Sequence, residues 1–123
     1  MKRYVIELSL VIGLLNGCAT HQVSYQQDVA PILQSRCIKC HTAPDGSGYK
    51  ATGLELNSYD AVMQGTIYGP IIVAGDSRRS IFNMLVEGRA GKLQRMPHQE
   101  QDGLSEEEIR LLSDWVNQGA LDN

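Results

Sequence analysis

The stretch SRCIKCHTAP, residues 35–44, gathers two of the chain's three cysteines, Cys37 and Cys40, and one of its three histidines, His41. Two thiols and an imidazole at this spacing could hold zinc, cycle as a disulfide, or carry a haem. A structural zinc site needs four protein ligands. Adjacent Cys40 and His41 rarely face one metal together, and the chain has no second Cys/His pair. A redox-active Cys-x-x-Cys of the thioredoxin type sits at a helix start, after a strand of a βαβ unit. Here the preceding segment, QQDVAPILQSR, reads as a helix. Haem attachment needs the motif as it stands: two thiols three positions apart add to the vinyl groups, and the next residue offers imidazole to the iron. The residues favour haem, with zinc and a redox disulfide as the alternatives.

A haem bound at His41 has a second axial position. Candidates downstream are Met63, Met84, Met96 and His98. Met63 and Met84 lie in segments of helical spacing, SYDAVMQG and RRSIFNMLVEG, where methionine usually fills core. Met96 lies in the loop GKLQRMPHQEQDG, directly before Pro97, which biases the preceding residue toward extended backbone and can aim a thioether out of a loop. Met96 is the preferred ligand, His98 the rival, and an open iron site the last alternative. A thioether raises the reduction potential relative to a second histidine.

With these landmarks in place, residues 25–120 resemble a small monohaem cytochrome c of the kind found as modules in planctomycete-type exported proteins. The resemblance rests on DVAPILQSRCIKCH, GLELNSYDAVMQG, GPIIVAGDSRRSIFNMLVEG, RMPHQ and LSEEEIRLLSDWVNQGA. It implies an all-α fold of three to five short helices wrapped around one covalently attached haem c. It also implies that Met96 is an axial ligand, because the methionine of the Met-Pro loop has that role in the family. His98 stands where a second proline is frequent. The Gly-Pro-x-Leu stretch of mitochondrial-like cytochromes is absent, with TGLEL in its region, so the carbonyl that orients His41 has no obvious counterpart.

The elements that must position these residues can be read from the pattern. A first helix is expected over 27–36, with Pro31 in its opening turn and Val29, Ile32 and Leu33 facing the last helix. Residues 42–53, rich in glycine and small polar types, read as a loop over one haem edge. Ser58 should cap a short helix ending at Gly65. Asp76 should cap another that runs to Gly88 and buries Ile81, Met84 and Leu85. Ser105 with Glu108 forms a capping box for a final helix ending near Gln118. Its apolar stripe is Ile109, Leu112, Trp115 and Val116.

The chain of 123 residues is long enough for one domain. Its first residues carry Lys2 and Arg3 before an apolar run, Leu8 to Leu15, and read as an export signal over 1–17. The run is too short to span a bilayer as an uninterrupted helix. LLNGC resembles a bacterial lipobox, with Cys18 as the lipidated first mature residue, although Asn16 departs from the small residue usual there. Residues 18–24 would be anchor and tether, and 25–123 the cytochrome domain. The resemblance implies a periplasmic, lipid-anchored protein, and Ala19 after the cysteine leans toward the outer membrane.

Loss of residues 1–17 removes two cations and one acid, leaving the mature chain one unit more negative than the full chain's −3. That argues against a nucleic-acid partner, which needs a strongly basic face. Arg78, Arg79, Arg89, Lys92 and Arg95 nevertheless cluster before the Met96 loop. They could pair with haem propionates, form a solvated face, or steer an acidic redox partner. A closed six-coordinate site leaves a substrate no place to bind, so the expected function is single-electron transfer between redox partners, not enzymatic turnover. The alternatives are a haem sensor with displaceable Met96, an electron-transfer subunit of a separate periplasmic dehydrogenase, and a zinc-stabilised lipoprotein.

Overall fold

The computed structural model describes residues 21–98 and 103–123. The expected signal, Cys18 and the start of its short tether, up to Thr20, lie outside them. Among the described residues the regular elements are all helical, and the sole extended pairing is an isolated bridge between Thr66 and Gly69. A π-helical turn, Tyr25–Val29, runs straight into α1, Ala30–Arg36. The other helices are α2, Ser47–Thr52; α3, Tyr59–Gln64; α4, Ile81–Val86; and α5, Glu106–Asn117. The all-α expectation stands.

Local chemistry explains the two ends. Ser24 opens the π-helical turn: its hydroxyl accepts from the Gln27 N–H at 3.2 Å, and its own N–H donates to Asp28 at 2.8 Å. The Ser24 carbonyl accepts from both Asp28 and Val29, which widens this first turn. Pro31 sits in the opening turn of α1, where proline is tolerated. At the other end, Ser105 and Glu108 exchange bonds of 3.2 and 2.7 Å, the expected capping box. Ser105→Ala should lower unfolding free energy by about 1 kcal/mol, with Ser105→Asp restoring most of it, as read by denaturant titration.

Helix α5 packs on the π-helical turn and on α4. Val29, Leu112 and Val116 are fully buried between these elements, and Ile32 and Leu33 join the same core. The chain's last residues fasten this pole. Asn123 accepts from the Tyr25 N–H and donates to the Val23 carbonyl, while Gln118 bonds the backbone of both His21 and Val23. Beneath them Tyr25, Tyr59 and Trp115 meet with ring centroids 5.2–6.5 Å apart.

Burial of Tyr25, reinforced by the negative charge of Asp122, raises its phenol pKa above the ordinary 10.0. The phenol therefore stabilises the fold fully below pH 10 and less as pH rises beyond it, because the unfolded chain releases the proton first. Tyr25→Phe should blunt the loss of stability above pH 10, measured by alkaline unfolding.

Three expectations need correction. Residues 42–53 are not wholly loop, since α2 occupies their second half. It forms because the Cys40 carbonyl accepts from the Gly48 and Tyr49 N–H groups at 2.8 and 3.0 Å, and it ends on Gly53 in the left-handed region at φ 71°. Asp76 does not cap α4. It accepts from Arg79 and closes the turn before it, while Ser80 precedes the helix without a side-chain cap bond. The buried face of α4 is Phe82, Asn83 and Val86, with Ile81 half exposed. Asn83 turns inward because its amide donates to Ser113 of α5 at 3.3 Å. Ser58 and Gly65 do bound α3 as expected.

Candidate functional site

Helix α1 ends on Cys37, and the chain turns at once. The Cys37 carbonyl accepts from the N–H groups of Cys40 and His41, both at 3.1 Å. This one tight turn brings two half-buried thiols and an imidazole to the same corner. Arg36, the residue before Cys37, donates to the Gly103 carbonyl at 2.9 Å and pairs with Glu108 at 3.4 Å. The Cys37–His41 turn is thereby tied to the start of α5.

His41 is 9% exposed. Its carbonyl accepts from the Leu56 N–H at 3.0 Å, so its backbone is fixed from the far side as well. Burial, the largest influence, pushes its pKa below 6.5; the Leu54 backbone opposes this as a hydrogen-bonding neighbour, and charge on His98 lowers it further. Nδ1 is buried without a formed hydrogen bond, so the pull of Leu54 is that of a near carbonyl short of ideal geometry. The ring is thus neutral near pH 7, with a nitrogen lone pair to offer a metal. Leu54 belongs to TGLEL, so the backbone of that segment neighbours the imidazole.

The influence of His98 on His41 shows that the Met96–Pro97–His98 loop comes within electrostatic reach of the imidazole. The loop is held there by the Met96 N–H, which donates to the Leu85 carbonyl of α4 at 3.1 Å. Met96 is half buried and packs against the core, whereas His98 is exposed. Met63 and Met84 sit in α3 and α4, as their helical spacing required.

The basic cluster resolves into different roles. Arg89 is engaged with the Ser77 and Arg78 carbonyls, both at 3.1 Å, and with Glu87. Arg78, Arg79 and Lys92 are exposed. Arg95 lies across two glycines: a side chain at Gly103 would meet its guanidinium at 2.8 Å, and one at Gly88 would meet its stem at 3.2 Å. Its Nε is buried without a hydrogen-bond partner.

Zinc finds little here. Among the described residues no three His, Cys, Asp or Glu side chains converge as a metal site. A neutral buried imidazole, two thiols on one turn and a thioether loop on the same core do fit a haem.

The model of the planctomycete cytochrome c family matches residues 37–100, just over half of the chain. The chain belongs to the planctomycete cytochrome c family. The matched segment opens on Cys37 and closes just beyond the Met96 loop, so it encloses every residue of the proposed haem site. Searches of curated proteins and of solved structures returned no significant match. As a cytochrome c domain, the chain is a small helical haem protein of the electron-transfer class.

Proposed function

We propose that the protein carries one haem c on Cys37 and Cys40, with His41 and Met96 as its axial ligands, and passes single electrons between partner proteins. The observation that carries this reading is the buried, neutral His41, fixed on the thiol turn and approached by the Met96–His98 loop. When bound, haem supplies the one-electron ferric/ferrous couple. The protein's own part is to hold that couple rigid and dry. Backbone bonds hold Cys40 and His41 in place, and the bond from Met96 to Leu85 holds the Met96 loop. If His41 and Met96 both ligate the iron, a substrate would have no place to coordinate, which favours a carrier over an enzyme or a gas sensor. Arg95, with its partnerless buried Nε beside Met96, is the cation we assign to a haem carboxylate.

Residues 1–17 act as an export signal in this reading, and Cys18 carries the lipid that holds domain 25–123 at a periplasmic membrane surface, with the outer membrane favoured. Export agrees with the site, because haem c is attached outside the cytoplasm. Acyl chains would anchor the protein without making it span.

The test is an absorption spectrum, oxidised and reduced, of protein exported alongside haem-attachment machinery, followed by acid–solvent extraction. Haem that stays with the denatured chain, plus the weak red-edge band of methionine on ferric iron, is the expected result. A colourless protein from cells that mature other c-type cytochromes would overturn the reading.

A further inference from the structure

Gly48 lies within the first turn of α2, at a position with ordinary helical backbone. Nothing about that backbone calls for glycine, and glycine inside a helix is unfavourable relative to alanine. Its surroundings do call for it. A Cβ built on Gly48 would stand 2.4 Å from Cε1, 2.7 Å from Nδ1 and 2.8 Å from Nε2 of His41. Real Cβ atoms essentially never come so close. All three are atoms of one ring, so the α-carbon of Gly48 bears on the imidazole itself. The Gly48 N–H meanwhile donates to the Cys40 carbonyl, one peptide before His41, at 2.8 Å.

We infer that Gly48 is a positioning residue for the axial histidine: its bare α-carbon is the surface against which the His41 ring plane is set. The inference rests on the haem reading above and extends it to a residue outside the attachment motif. A turn of helix clamped to Cys40 can neither retreat from the ring nor admit a methyl group beside it. The ring is thereby blocked on the Gly48 side, with the Leu54 backbone as another neighbour. Rotation of an axial imidazole changes its overlap with the iron orbitals, so the ring plane is legible in the magnetic properties of the ferric state.

The experiment compares Gly48→Ala with wild type and with Ser47→Ala, an exposed neighbour in the same turn. All three are exported and loaded with haem. Gly48→Ala should keep covalent haem but move the largest ferric g-value and the spread of haem methyl proton shifts away from wild type. It should also be less stable, opposite in sign to the helix-propensity gain that alanine would otherwise bring. Ser47→Ala should leave the magnetic parameters unmoved. Wild-type magnetic parameters in Gly48→Ala, whatever its stability, overturn the inference. Should Gly48→Ala fail to mature, the ferrous wild type decides: nuclear Overhauser contacts between Gly48 α-protons and the His41 ring support the cradle, and their absence refutes it. Wild type without covalent haem would instead be failure of the haem reading, visible before any variant is made.

Discussion

Met96→Ala is expected to abolish the red-edge band of the ferric protein, lower its reduction potential and open the iron to carbon monoxide and imidazole. The loop cannot easily substitute another donor. Met63 and Met84 are committed to helices α3 and α4, and His98 is exposed on the far side of Pro97. Axial ligands move haem potentials across about 0.8 V, and loss of a thioether that favours the ferrous state should account for on the order of 0.1–0.3 V of that. Redox titration with the two spectra checks the shift. If the spectrum of Met96→Ala is that of wild type, Met96 is not the ligand and His98 takes its place; His98→Ala then becomes the variant that changes colour. A protein that binds carbon monoxide readily with Met96 intact would be a sensor and not a carrier.

The family was legible because c-type chemistry leaves a linear trace: two thiols and an imidazole follow one another as Cys37, Cys40 and His41. The end caps of α3 and α5 were legible for a similar reason. Ser58 and Ser105 act on N–H groups three residues ahead, so cause and effect lie within one window. What could not be read is what depends on non-local packing. Asn83 is buried because Ser113 of another helix receives its amide, and periodicity alone put Ile81 inward instead. Helix α2 was hidden in a stretch whose glycines suggested only a loop. Its N–H donors meet the Cys40 carbonyl, and a side chain at Gly48 would collide with the His41 ring. Neither relation has a signature in the order of residues. The same holds for Leu54, which neighbours the imidazole through its backbone and leaves no mark on side-chain identity.

Trp115→Ala is expected to cost about 3–5 kcal/mol of stability, the range for deleting a large buried aromatic. Three losses act together. Trp115 is 1% exposed, so its removal leaves a cavity walled by rings that cannot simply collapse into it. Tyr25 and Tyr59 lose a partner at 5.5 and 6.5 Å. The indole N–H, which donates to the Leu121 carbonyl at 2.9 Å, no longer holds the chain's last residues over the core. That third loss reaches beyond the cavity, because the same tail bonds Tyr25 and Val23 through Asn123 and so closes the N-terminal turn onto α5. Trp115→Phe separates the effects: it keeps most of the ring contact, loses the indole bond, and should recover the larger part of the stability. Denaturant unfolding followed by far-ultraviolet circular dichroism measures both. The aromatic cluster sits at the pole where both described ends of the chain meet, while His41 is held by α2 and by the strap of residues 54–56. Trp115→Phe should therefore leave the axial spectrum unchanged while lowering the midpoint, a division that Met96→Ala reverses. A Trp115→Ala protein as stable as wild type would mean that the haem, and not this cluster, holds the terminal elements together.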